Sequence, residues 1–248
     1  MMTTGGKTVY GATVGILMLN TRFPRIPGDI GNASTWPFPV QYKVVPSATP
    51  DNVVRGDASP LLQSFIDAGR ELVDLGCDGI ATNCGFLVPF QSEMSHALGV
   101  PVASSSLLQA ALIKQTLPAD QSLGILTISS ETLTTAHLDA AGIAHDTPIG
   151  GTGAESHFTT QVLGDAAEID FDQARQDNID AALKLVNDHP NIGAILLECT
   201  NMVPYAADIR RATGRPVFSI YTYLLWFQSG LLPRRFPQEL DDIRAPKS

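Results

Sequence analysis

The sequence has few cysteines, few charged residues and no long hydrophobic run. Its 248 residues include 3 cysteines, and charged residues make up only 17%. Three cysteines cannot all pair, and their spacing is not that of a zinc cage, which excludes disulfide-rich and zinc-stabilised scaffolds. No stretch reaches the ~18 apolar residues of a membrane span, and the apolar run ending at Asn20 is too short for a signal peptide. We therefore expect a cytoplasmic globular protein with no membrane partner.

A basic surface and the common cofactor motifs are also missing. The chain has 16 Lys+Arg against 25 Asp+Glu, a formal net charge of -9, so nucleic acid is not an expected partner. The 5 histidines show no HxxxH or Cys/His ligand spacing, so no metal site is expected. The GGTG at 150–153 lacks the Lys-Ser/Thr of a phosphate-binding loop. Nucleotide binding is therefore only weakly indicated.

What the sequence does contain is an internal repeat. Residues 78–104 align with residues 193–219 at a constant offset that places Cys84 on Cys199. The same offset matches a Val-Pro pair, a Gly and a Pro-Val pair, and VGIL at 14–17 corresponds to LGIL at 123–126 with a small insertion. Because chance does not supply so many matches with one offset, the chain consists of two homologous halves.

Each half alternates short apolar runs with helical patterns, which is typical of βα units on a parallel sheet. Among the helices, one is predicted over roughly 58–76 in the first half and one over 171–188 in the second. The predicted class is α/β, with two pseudo-symmetric βα domains, parallel sheets and an active site in the cleft between them. We assign residues 1–117 plus 217–248 to the first half and 118–216 to the second. The segments 20–39 and 150–157 are expected to be loops at the carboxyl edges of the sheets, where such folds bind ligands.

The duplicated cysteines carry the chemistry. Cys84 and Cys199 each end a buried strand and precede a helix, a position in which backbone N–H groups and the helix dipole lower a thiol pKa. On opposite walls of one cleft, two such thiols could remove a proton from one face of a carbon and return one to the other. The alternative is a pair of buried structural cysteines, which is the interpretation we adopt for Cys77, since it has no partner in the repeat.

TNCG at 82–85 and ECTN at 198–201, on duplicated α/β halves, resemble the aspartate/glutamate/hydantoin racemase superfamily. The resemblance covers nearly the whole chain. It implies catalysis without cofactors, neither PLP nor metal, with Cys84 and Cys199 as the acid/base pair, and it makes a homodimer plausible. Members act on small carboxylates, so a small carboxylate is the expected substrate.

The resemblance also implies that small polar groups beside each cysteine bind the substrate carboxylate. Preorganised donors there would stabilise the enediolate formed when an α-proton leaves. The positions that match are Asn20, Thr82, Asn83, Gly85, Thr127, Ser129, Ser130, Thr200 and Asn201. Ser129 and Ser130 are equally explained as helix N-caps.

The 20–39 segment adds further candidates. Arg22 and Arg25 could bind a second carboxylate bidentately, and Trp36 and Phe38 could form an apolar wall of the site. The alternative is a solvated cover loop with packed aromatics.

The expected function is a cofactor-independent racemase or epimerase, an isomerase, acting on an amino acid such as aspartate or glutamate. The chain departs from the racemase pattern, however, at Gly85 and Asn201, where an assisting acid/base group is missing. We expect Glu198 to be turned away from the site by strand alternation. These departures keep open a lyase or decarboxylase on the same scaffold, of the arylmalonate decarboxylase, maleate isomerase or dimethylsulfoniopropionate lyase kind, that uses one cysteine as base or acid. A non-catalytic two-lobed binding protein is a third alternative.

Overall fold

Two four-stranded parallel sheets form the core of the protein. The computed structural model describes residue 2 and residues 4–236; Met1, Thr3 and 237–248, which the sequence assigned to the first half, lie outside the described residues. The first half contains β1 (Val14–Leu19), β2 (Val40–Val45), β3 (Gly79–Thr82), β4 (Val102–Ala103), α1 (Pro50–Val54), α2 (Leu62–Asp74), α3 (Gln91–Leu98) and α4 (Ala110–Thr116). The second half contains β5 (Ser122–Thr127), β6 (Ile149–Gly151), β7 (Ile192–Leu197), β8 (Val217–Phe218), α5 (Thr135–Ala140), α6 (His157–Leu163), α7 (Phe171–Asp188) and α8 (Ala206–Thr213), and it is followed by α9 (Ile220–Leu231).

The two sheets have the same topology. The strand order is β2-β1-β3-β4 in the first and β6-β5-β7-β8 in the second, and all pairings are parallel. All six residues of β1 and all six of β7 are buried, as expected for strands that are covered by helices on both faces. The predicted α/β class with two parallel sheets is confirmed.

The repeat is also visible where the helices end. Both α3 and α8 stop at a glycine in the left-handed region, Gly99 with φ 66° and Gly214 with φ 69°. Glycine adopts this conformation without the steric penalty of a Cβ, which is why it commonly ends helices. Because the two glycines correspond in the repeat, the same local signal ends the same helix in each half.

The last helix returns to the first half. Ile220, Leu224 and Phe227 of α9 form a buried cluster with residues of the first sheet that include Ile16 and Ala81. Val217 and Phe218 still belong to the second sheet, so the chain crosses between the halves two residues later than the boundary expected from the sequence at 216.

Some local structure was not expected from the sequence. Helices α1 and α6 were not predicted, and α2 begins at Leu62 after a short 3-10 helix, Ser59–Leu61, rather than at 58. Helix α1 has only five residues, with Thr49 as its N-cap and a proline at its start, too short to show helical periodicity. In the described part of the chain, none of the helices combines the length and apolar character needed to span a bilayer.

Candidate active site

Cys84 and Cys199 lie in the wall of one cavity between the halves. Each occupies the N-cap position of a 3-10 helix, Gly85–Phe90 after the first and Thr200–Tyr205 after the second, without a capping hydrogen bond from its side chain. The cavity contains about 380 Å³ of space free of atoms, part of it open to solvent, and both cysteines are 8% exposed. The parallel sheets thus bring together two residues that are far apart in sequence.

The polar groups of the cavity come from both halves. Besides the cysteines, the polar or charged side chains in its lining are Thr21, Arg25, Asn83, Glu198, Thr200 and Asn201. Apolar side chains such as Phe23, Phe86 and Ile128 form much of the remaining wall. The arrangement is that of a largely apolar pocket with a few converging polar groups, which is typical of small-ligand sites.

Five of the predicted binding residues reach this cavity. They are Arg25, Asn83, Gly85, Thr200 and Asn201. Of the others, Thr82 and Thr127 are fully buried outside the lining, and Asn20 is exposed with its side-chain N–H donating to the carbonyl of Pro46. Arg22 is at the surface, where it pairs with Asp165. Ser129 and Ser130 line a neighbouring depression that also contains Arg55.

The amide and hydroxyl groups next to the cysteines bond to backbone groups, and one of these bonds joins the two halves. The Oγ1 of Thr200 donates to the carbonyl of Asn83 at 2.6 Å, and the side-chain oxygen of Asn83 accepts from the backbone N–H of Leu19 at 2.8 Å. The Oγ1 of Thr82 donates to the carbonyl of Ser104 at 2.6 Å. These bonds are buried and tie the strand ends together, so the positions of the cysteines are fixed by groups that sequence reasoning had assigned to substrate.

A chain of polar contacts links Cys199 to Arg25. The thiol of Cys199 donates to Oδ1 of Asn201 at 3.7 Å, and Nδ2 of Asn201 donates to Oδ2 of Asp29 at 2.7 Å. The other carboxylate oxygen of Asp29 pairs with Arg25 at 2.7 Å, and these two side chains are 5% and 11% exposed. Arg25 also donates to Oγ1 of Thr21 and stacks over the ring of Phe23. The charge of Arg25 is thus already paired with Asp29. Asp29 was not among the residues predicted from the sequence to contribute to the site.

The thiols are less acidic than the sequence predicted. Burial and the neighbouring carboxyl of Glu198 raise the pKa of Cys84 to about 12, and the same two causes raise the pKa of Cys199 well above its usual range. The backbone N–H groups of Phe86 and Asn201 act in the expected direction and lower the two pKa values, but burial outweighs them. The prediction of acidic thiols is therefore wrong for the ligand-free protein, because desolvation penalises a thiolate more than local dipoles stabilise it.

Glu198 belongs to the site, contrary to the expectation from strand alternation. It is 0% exposed and lines the cavity, and its Oε2 accepts a hydrogen bond from Oγ1 of Thr127 at 2.6 Å. Strand β7 ends at Leu197, so the alternation of side chains no longer governs the next residue. Burial raises the pKa of Glu198 to about 7, and the hydrogen bond from Thr127 only partly opposes this.

The glycine at position 85 is explained by its contact with this carboxyl group. A Cβ at Gly85 would overlap Oε1 of Glu198 and would lie 2.8 Å from the carbonyl oxygen of Glu198. The residue after Cys84 is thus a glycine because the carboxyl group of the other half fills the space of a side chain. The departure at Gly85 is visible in the sequence, whereas the group that occupies the space is not.

The aromatic residues of the 20–39 segment lie away from the cavity. Trp36 stacks between Phe38 and Tyr221, with ring centroids 5.7 Å apart in each pair, and it belongs to the cluster under α9. These rings anchor the segment to the first half and do not form the expected wall of the site. Within the described residues, no group of three His, Cys, Asp or Glu side chains is arranged to hold a metal ion.

Comparison with known proteins relates the chain to lyases. It is 27% identical over 235 residues to a dimethylsulfoniopropionate lyase of Durusdinium sp. clade D, which covers 89% of this chain and 75% of the relative. It is 29% identical over 219 residues to dimethylsulfoniopropionate lyase 6 of Emiliania huxleyi, covering 85% of this chain and 57% of that protein. The chain thus spans little more than half the length of the second relative. No protein-family model matches the chain.

Solved structures show the same fold. Allantoin racemase from Pseudomonas fluorescens superposes with a TM-score of 0.56 at 17% identity, covering 88% of this chain and 90% of the racemase. Unliganded arylmalonate decarboxylase has a TM-score of 0.56 at 16% identity, covering 89% of this chain and 92% of the decarboxylase. The fold is therefore the one that these racemase and decarboxylase structures share, as the resemblance in the sequence implied. The expected racemase activity, and with it the isomerase class, is wrong, because the curated relatives over most of the chain are named lyases.

Proposed function

We propose that this protein, which has the fold of the aspartate/glutamate racemase superfamily, is a lyase that acts on a β-sulfonium carboxylate of the dimethylsulfoniopropionate class. The observation that carries the proposal is the similarity to dimethylsulfoniopropionate lyases over 89% of the chain. The placement of two thiols in one small cavity supports it, because such a lyase needs a base beside the carbon that carries the carboxylate.

The reaction is a β-elimination. One cysteine, as the thiolate, removes a proton from the carbon next to the carboxylate, and the electron pair of the broken C–H bond forms a C=C bond. The bond to sulfur on the next carbon breaks, and dimethyl sulfide leaves with its electron pair. Acrylate remains, and the proton carried by the thiol is later released to solvent, so one proton is produced in each turnover.

A cationic substrate fits the electrostatics of the thiols. In the ligand-free protein, burial holds both thiols in the neutral form, and an ionised Glu198 would add to this effect. A sulfonium group within a few ångströms favours the thiolate, since an opposite charge stabilises the ionised form of a neighbouring group. The substrate thus helps to generate its own base.

Release of dimethyl sulfide tests the proposal directly. The purified protein is incubated with dimethylsulfoniopropionate, and headspace gas chromatography measures the dimethyl sulfide. We expect the unmodified protein to release dimethyl sulfide. The rate of release should fall at least about 100-fold in one of the two variants Cys84→Ser and Cys199→Ser, namely the one that lacks the cysteine acting as the base.

Cys77→Ala is the matched control. Cys77 is as buried as the other two cysteines, with 3% exposure, but it contacts Gln41 and does not line the cavity. The control variant should keep its activity. No dimethyl sulfide from the folded, unmodified protein would overturn the proposed substrate class, and full activity in both cavity variants would overturn the role of the thiols.

A further inference from the structure

Glu198 has a buried carboxyl oxygen that none of the residues described by the structure satisfies. Its Oε2 accepts the hydrogen bond from Thr127, whereas Oε1 has no hydrogen-bond partner among the residues that the structure describes. The side chain is fully buried and lies in the wall of the cavity, with Oε1 against Gly85. A buried, unpartnered polar atom costs about 1–3 kcal/mol, so its retention calls for a partner that is present only in the working state.

The protonation state of this group follows from its neighbours. Arg25, the cation among the residues that line the cavity, is already paired with Asp29, and the other titratable groups in the lining are the two thiols. An ionised carboxylate would therefore be buried without a counter-ion, which is strongly unfavourable. Since Oε2 accepts from Thr127, the proton of the neutral acid belongs on Oε1. Burial accordingly raises the pKa of Glu198 to about 7.

A neutral acid in this place suits a carboxylate substrate. An ionised Glu198 would repel the carboxylate, whereas a free O–H donates a charge-assisted hydrogen bond to it. That bond strengthens as negative charge moves onto the carboxylate oxygens when the neighbouring proton is removed. The neutral form also takes away the repulsion by which Glu198 opposes thiolate formation at both cysteines.

We propose that Glu198 binds the substrate carboxylate as a neutral acid, donating a hydrogen bond from Oε1. The inference rests on the proposed function for the identity of the ligand as a carboxylate. It assigns Gly85 the role of making room for this donor and Thr127 the role of fixing which oxygen carries the proton.

Binding of isocaproate tests the inference without turnover. Isocaproate has the shape of dimethylsulfoniopropionate with a CH group in place of the sulfonium, so it retains the carboxylate and cannot eliminate. Isothermal titration calorimetry measures its affinity between pH 5 and pH 9. In the unmodified protein we expect constant affinity at low pH and a loss approaching tenfold per pH unit above about 7.

Two variants with side chains of similar size show whether Glu198 donates a hydrogen bond to the ligand or only fills space in the cavity wall. Glu198→Gln keeps a donor at the position of Oε1 and an acceptor for Thr127, so its affinity should stay within about threefold and lose the decline at high pH. Glu198→Met has no donor and should bind isocaproate about 10- to 100-fold more weakly at pH 6. His137, which packs on Phe86 behind the cavity, is unchanged in both variants and so cannot account for a difference between them.

The result that would overturn the inference is equally specific. Undetectable isocaproate binding, pH-independent affinity in the unmodified protein, or equal affinity in the Met and Gln variants would each refute it. Tighter binding of ethyldimethylsulfonium as pH rises, lost in Glu198→Gln, would show instead that the ionised carboxylate binds the cationic end. The pH-dependent isocaproate binding is independent of dimethyl sulfide release, so either proposal can fail while the other stands.

Discussion

Replacing Gly85 by alanine tests how tightly the two halves meet at the cavity. The added Cβ would overlap Oε1 of Glu198 and would lie 2.8 Å from the carbonyl oxygen and 3.0 Å from Cδ of the same residue. The carboxyl group is fully buried and held by Thr127, and the carbonyl oxygen belongs to the backbone at the end of β7. Neither can give way by a simple rotation, so the halves themselves must separate slightly.

The expected cost is that of overpacking a well-packed core, about 1–3 kcal/mol in the free energy of unfolding. Urea denaturation followed by circular dichroism measures it. With a denaturant slope of about 2 kcal/mol per molar, a loss of about 2 kcal/mol lowers the midpoint by about 1 M. Dimethyl sulfide release should fall as well, because the displaced carboxyl group no longer reaches the substrate.

Gly230→Ala is the control for this prediction. Gly230 lies in α9, and a Cβ there would meet nothing within 4 Å. Alanine in a helix is favoured over glycine by about 1 kcal/mol, so this variant should be as stable as the unmodified protein or more stable. Combining Gly85→Ala with Glu198→Ala should reduce the cost of the first change, since the overlap with the carboxyl group is gone. An unchanged midpoint in Gly85→Ala, or a cost that Glu198→Ala leaves unaltered, would refute the explanation given for Gly85.

Further predictions concern pH and the two arginines. The folded-state pKa of Glu198, about 7, is raised from an ordinary 4.5, so the folded protein holds this proton more tightly. The stability due to that proton is complete below about pH 4.5 and is lost as pH rises through 7. Denaturation at several pH values should therefore show the unfolding free energy falling by about 3 kcal/mol across this window, relative to Glu198→Gln. A difference between the two proteins that does not change with pH would contradict the burial argument. Arg25→Ala should cost about 3–5 kcal/mol in the same assay, because it leaves the buried Asp29 without its cation. Arg22→Ala should cost less than about 1 kcal/mol, because Arg22 is 75% exposed in its pair with Asp165, and equal costs for the two variants would refute this distinction.

The local signals in the sequence predicted the parts of the fold that depend on near neighbours. Apolar runs predicted the strands of both sheets except β6 (Ile149–Gly151), most of which lies in the segment expected to be a loop. The helix predicted over 171–188 is α7 with the same bounds. The repeat predicted that the sheets would be alike, and they share one strand order. These features follow from periodicity and from residues a few positions apart, which a single sequence displays directly.

The site was only partly predictable, because its properties arise from contacts between the halves. Strand alternation failed for Glu198, since the strand ends one residue earlier. The thiol pKa values were misjudged because the local dipoles are visible in the sequence, whereas the desolvation by the opposite half is not. Arg22 and Arg25 are three positions apart and look alike in sequence, yet one lies at the surface and the other in the cavity wall.

By itself, the sequence determined the duplication, the class of fold and the correspondence of Cys84 with Cys199 in the repeat, since these depend on residue order alone. Only the tertiary structure decided that Glu198 of one half fills the space left by Gly85 of the other, and that burial makes the thiols and this carboxyl group weak acids. The physical reason is that desolvation depends on everything that surrounds a group, and here the surroundings come from segments more than 100 positions apart in the chain.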